Sequence, residues 1–193
     1  MPIDSGRYAN SNSSNYSHSY ANKYQDIAPT THSSWSSNPS GASISWSSDK
    51  RLSNTKSRDL NAELHLAGAA LNPRTPKAQL VNVNQPKDLD VLEKPTSLNK
   101  FVLTQGGQMV VGNIDKSVPT KWLSHPAIAE LGAGPGQSQN VVSAGYIKKD
   151  FLGNTRLSHT SGHYLPTQND LKPAQQHLKD MGVTSTKGDC SII

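Results

Sequence analysis

The chain has 193 residues, of which 33% are hydrophobic, and it carries a formal net charge of +5. That apolar share is well below the near-half of ordinary globular chains, so part of it has no core. A lone cysteine, Cys190, rules out an intramolecular disulfide framework and a cysteine-built zinc site, and no stretch reaches the ~18 apolar residues of a membrane span.

From Met1 to Arg58 the chain is rich in serine and asparagine, with fifteen serines in the first fifty residues. Such a segment buries too little apolar surface to offset its lost chain entropy, so residues 1–58 are expected to be a disordered arm. Met1-Pro2-Ile3-Asp4-Ser5 leads into polar residues, not the apolar stretch of a cleaved export signal. The arm's aromatic residues include Trp35 and Trp46, each inside a Ser-Trp-Ser-Ser repeat; they are either contact points for a partner such as a secretion chaperone or incidental to a flexible tail. No basic run exceeds two residues (Lys50-Arg51, Lys148-Lys149), so no nucleic-acid partner is expected.

Residues 59–186 read as one α+β domain with a small antiparallel sheet and a C-terminal helix. A helix is predicted over Asp59–Leu71, with Asp59 as N-cap and Leu60, Leu64, Ala67 and Leu71 on one face. Leu80–Val83 reads as a strand, and residues 86–94 are ambiguous. Phe101–Thr104 and Gln108–Val111 around Gly106-Gly107 form a β-hairpin. Thr120–Leu131 suits a helix interrupted by Pro126. Residues 132–136 are a glycine loop, either flexible or a phosphate cradle built by the backbone at Gly134 and Gly136; no lysine-serine or lysine-threonine pair follows it, so it is not a P-loop. Asn140–Lys148 and Arg156–Ser158 read as strands, the second leading into Ser161-Gly162-His163-Tyr164. Asp170–Met181 reads as the last helix, with Pro173 in its first turn and Gly182 as its stop.

Lys100-Phe101-Val102-Leu103, Val110-Val111-Gly112, Ser124-His125, Ser143-Ala144-Gly145 and, above all, Ser161-Gly162-His163-Tyr164 with Pro166-Thr167 recur in one order. In these motifs the chain resembles the C-terminal half of the plant IQ-motif-containing calmodulin-binding proteins and related domains of bacterial toxins and effectors. The resemblance covers roughly half the chain. The IQ motif is absent, so calmodulin binding is not implied. In many bacterial relatives a glutamate follows the alanine-glycine pair; here Tyr146 stands there.

The resemblance implies an effector acting on a protein of a eukaryotic host cell, and the serine-rich, unfolded leader suits export through a type III-like apparatus. One alternative is an ADP-ribosyltransferase-like enzyme using NAD, with His125, His163, Tyr164 and Glu130 (or Asp170) as candidate catalytic residues. Adjacent residues on a strand face opposite ways, so His163 and Tyr164 are not expected to line one pocket. A second alternative is a non-enzymatic binding module. There Ser161 and Gly162 shape the backbone, His163 bonds a buried carbonyl and Tyr164 packs with its hydroxyl satisfied. His125, His159, His163 and His177 lack the spacing of a metal site, so none is expected. Residues 187–193 are a tail, where Cys190-Ser191-Ile192-Ile193 matches a prenylation motif that would tether the protein to a host membrane; the family-like ending would also produce it.

Overall fold

A computed structural model describes residues 50–188. Residues 1–49, the bulk of the serine-rich arm, and Cys190 with its prenylation motif lie outside the described residues. The order of elements is α1 (Leu60–Ala70), β1 (Ala78–Asn82), β2 (Ser97–Thr104), β3 (Met109–Asp115), α2 (His125–Ile128), β4 (Val141–Lys149), β5 (Thr155–Ser158), α3 (Lys172–Asp180) and β6 (Ser185–Lys187). The class is α+β. The six strands form one sheet in the order β1-β3-β2-β4-β5-β6, antiparallel throughout except for the last pair, β5 with β6. A parallel pair needs a long crossover, and residues 159–184, which include α3, supply it.

The sheet is covered on both faces. Strand alternation sends Val102, Val110, Ile114 and Ala144 to one side, where they pack with Ala67 and Ala70 of α1 and Ala127 and Ile128 of α2. It sends Phe101, Leu103, Met109, Val111, Ile147 and Leu157 to the other, against Leu89, Leu171, Ala174 and Leu178. Double coverage explains why β2 and β3 read as continuous apolar runs rather than alternating ones.

Several boundaries differ from the sequence reading. Asp59 precedes α1 but makes no side-chain cap bond. The ambiguous piece is a 3-10 helix, Pro86–Glu93, closed by a capping box between Gln85 and Asp88. The helix expected over 120–131 is three short pieces: a 3-10 turn Thr120–Trp122, then α2, then a π-turn Ala129–Ala133. Pro126 takes the first turn of α2, where its missing N–H costs nothing. A second capping box, Thr167 with Asp170, starts the turn that runs into α3.

The folded module is also wider than residues 59–186. Leu52 is buried, and its N–H donates to Val141 O at 2.8 Å. Lys50 pairs with Asp170 at 3.0 Å, and Thr55 donates to His163 O through both its N–H and its hydroxyl. Residues 50–58, expected in the arm, therefore strap the module. At the other end Lys187, expected in the tail, belongs to β6, and the N–H of Gly188 donates to Leu157 O.

Candidate functional site: a histidine–glutamate–serine network

Ser161-Gly162-His163-Tyr164 is a turn, not a strand. The Ser161 hydroxyl oxygen accepts from the N–H groups of His163 (3.4 Å) and Tyr164 (3.3 Å), and Ser161 O accepts from the N–H of Leu165 at 3.1 Å. The turn splays its two ring-bearing residues. His163 reaches α1, where Nε2 pairs with Oε1 of Glu63. Tyr164 is buried and donates its hydroxyl to Ser138 O at 2.8 Å. The two side chains do part, as the sequence reading expected, but turn geometry rather than strand alternation parts them. Gly162 is exposed, with open space where a Cβ would stand and no left-handed φ, so neither a tight bend nor a close approach requires glycine there.

The second histidine opens α2. Ser124 caps the helix by accepting from the N–H of Ala127 at 3.2 Å, which directs His125 down onto the sheet. Its Nε2 lies 3.0 Å from Gly145 O, an acceptor only, so Nε2 carries the proton. Nδ1 is then an acceptor, and the Ser161 hydroxyl donates to it at 3.2 Å. Burial, reinforced by the nearby Lys100 charge, holds the His125 pKa down to about 3, against the pull of the Gly145 bond. The ring is neutral at physiological pH. Gly145 is required here by packing: a Cβ would overlap the carbonyl of Ser158 on β5.

Glu63 links His163 to Ser124, the residue before His125. Its Oε2 accepts from the Ser124 hydroxyl at 2.7 Å while Oε1 holds His163. Both partners of the Glu63–His163 pair are largely buried, at 13% and 16% side-chain exposure, so water screens the pair weakly. Lys100 lies beneath, on β2. Its Nζ donates to Thr120 O (2.6 Å) and Leu123 O (2.9 Å) and sits 5.9 Å from the centre of the Tyr146 ring. Burial pushes its pKa down to about 8, with Glu63 opposing. Tyr146 stacks edge-on against His125 at 5.8 Å, and burial raises its pKa. At Tyr146 this chain thus has an aromatic face between a lysine and a neutral histidine.

Glu130 meets the glycine loop and Ser138, the residue whose carbonyl holds the Tyr164 hydroxyl. Its carboxylate accepts from the N–H groups of Gly136 (2.6 Å) and Ser138 (3.0 Å). Gly134 and Gly136 both take positive φ, 120° and 80°. The glycine loop does cradle an anion through its backbone, and that anion is the chain's own Glu130. Asp170 is likewise engaged, by Thr167 and Lys50. Burial alone would raise its pKa, but the bonds from Thr167 and the Lys50 charge outweigh that and lower it.

In this arrangement the Tyr164 hydroxyl and the Glu130 carboxylate bond main-chain groups and not a histidine. The Tyr164 hydroxyl is committed to Ser138 O, and burial, followed by the charges of Glu130 and Glu63, raises its pKa further. The carboxylate that meets a histidine is Glu63, which carried no signal: it is one acidic residue on a predicted helix a hundred positions from His163. A cavity of about 220 Å3 is lined by Leu157, Ser158, His159, Thr160, Gln168 and Lys187 among others, and so reaches the residue before Ser161. His177 points instead to Val83 O, at 3.4 Å. Among the described residues no three His, Cys, Asp or Glu side chains are placed to hold a metal ion, and no helix is long and apolar enough to cross a membrane. In comparisons with known proteins the chain matches no family model, no curated protein and no solved structure.

Proposed function

We propose that this protein is a bacterial effector delivered into eukaryotic cells, and that its folded module acts on a host protein by binding it. The observation that supports binding over catalysis is the commitment of most candidate side chains to structural partners. Both ring nitrogens of His125, both oxygens of Glu63, the Tyr164 hydroxyl and the Glu130 carboxylate are bonded within the module. Such a network clasps α1, α2 and the 161–164 turn onto the sheet, and it spends the Tyr164 hydroxyl and the Glu130 carboxylate on main-chain partners. The serine-rich leader and the likeness of the Ser161–Thr167 run to effector and toxin domains support delivery. In this reading the arm contacts a secretion chaperone, and a prenyl group on Cys190 adds a membrane tether.

Incubation of the full chain with eukaryotic lysate and labelled NAD tests the central claim. No label transfer is expected. Transfer that disappears with His163→Ala would establish the ADP-ribosyltransferase reading instead, which the Glu63–His163 contact favours by bringing a carboxylate to a histidine. For delivery, residues 1–58 fused to a reporter active only in eukaryotic cytosol should yield signal; silence counts against export. For the tether, Cys190→Ser should lower the membrane-bound fraction in host cells.

A further inference from the structure

The turn joining β4 to β5 is built by three residues. The Asp150 carboxylate accepts from the N–H groups of Leu152 and Asn154, each at 2.9 Å. Asp150 N–H donates to Asn154 O, and Gly153, at a φ of 82°, donates to Asp150 O. Phe151 and Leu152 contribute only backbone to this turn, yet they are the two most exposed large hydrophobic residues described, at 92% and 71%. Turns favour polar or small residues, so two adjacent apolar side chains held out on a hydrogen-bonded turn mark a contact.

The charges beside the tip indicate with what. Lys148 and Arg156 are register partners across β4 and β5, so two cations project side by side from one face. Like charges directly opposite each other destabilise a sheet. Asp150 meets the Arg156 Nε at 3.4 Å, whereas Lys148 takes part in none of the ion pairs at this end. On the opposite face Lys149 is neutralised by Glu93 (2.7 Å) and Asp90 (3.7 Å). The next strand brings Thr186 into register with Arg156. A Lys–Arg pair with a threonine alongside suits the phosphate oxygens of a planar anionic surface, with an aromatic and an aliphatic side chain ahead of it to enter the apolar layer.

We propose that the turn end of the β4–β5 hairpin is a membrane-contact surface: Phe151 and Leu152 insert into the lipid, while Lys148 and Arg156 bind the headgroup phosphates of anionic phospholipid. This contact is separate from any lipid on Cys190 and from the protein-binding reading above.

The test is co-sedimentation of the full chain, produced without a prenyltransferase, with phosphatidylcholine vesicles that contain or lack phosphatidylserine. Binding to the anionic vesicles should be about tenfold tighter or more and should weaken with salt. The double variant Phe151→Ser/Leu152→Ser should lose about tenfold in affinity with an unchanged unfolding midpoint. Lys148→Glu places a carboxylate opposite Arg156, so it should stabilise the hairpin while abolishing the preference for anionic vesicles. Equal binding to both vesicle types, or wild-type binding by the double variant, overturns the proposal. So does a double variant that keeps vesicle binding and loses a host-protein partner, which makes the tip a protein contact.

Discussion

Glu63 on α1 and His163 in the 161–164 turn meet across a hundred residues of chain, and the same carboxylate holds the Ser124 hydroxyl that caps α2. One acidic side chain thus adds a polar link between three segments that also share the first hydrophobic cluster. In a partly dry setting its removal leaves two donors without an acceptor, which costs more than the contact itself contributes.

Glu63→Ala is expected to destabilise the protein by about 2–4 kcal/mol, and His163→Ala by a similar amount. The double variant should cost clearly less than the sum, with a coupling of about 1 kcal/mol or more. Urea unfolding of the four proteins measures this. Additive losses would mean that the two side chains act independently.

His125 predicts an acid-sensitive fold. Its folded pKa, about 3, lies below the ordinary value of 6.5, so the unfolded chain binds the extra proton first. The stability linked to the neutral ring is fully present above that ordinary value and falls as the pH drops through it toward 3. Between pH ~7 and ~5 the loss from this residue alone is about 2 kcal/mol. His125→Gln should flatten that part of the stability profile, and the His125 imidazole NMR signals should stay those of a neutral ring at pH ~5 while the fold persists. An imidazolium signal at that pH would contradict the buried assignment.

Two glycines should respond in opposite ways. Gly145→Ala drives a methyl into the Ser158 carbonyl and separates β4 from β5, so a loss above about 3 kcal/mol is expected. Gly162→Ala meets open space at an ordinary φ and should change stability by less than about 0.5 kcal/mol. Thermal melts of both variants separate a glycine that packing requires from one that it does not.

The strap predicts that the module needs residues ahead of α1. Leu52→Ala on the full chain should cost about 2–3 kcal/mol, because Leu52 is buried against the first sheet face. A cost near zero in urea titrations would show that the strap contributes little.

How much of this was legible in the chain follows from how local the physics is. The β2–β3 hairpin has an apolar run on each side of Gly106-Gly107, and α3 has its apolar stripe, an early Pro173 and Gly182 at its end; each signal lies within a dozen residues, so the α+β class could be read without coordinates. β6 could not: Ser185-Thr186-Lys187 is polar, and it is a strand only because the crossover returns it to the edge of β5. The short α2 reads as part of a longer helix, because Pro126 looks like a breaker unless the Ser124 cap before it is known.

For the candidate site the division is sharper. The sequence singled out Ser161, His163, Tyr164, His125 and Glu130 by residue type and motif. Only the tertiary structure decided what each does, because hydrogen-bond partners are chosen by distance in space and not along the chain. It gave Glu130 to the glycine loop, Tyr164 to Ser138 and His125 to Gly145, and it brought Glu63, unremarkable in its helix, to His163.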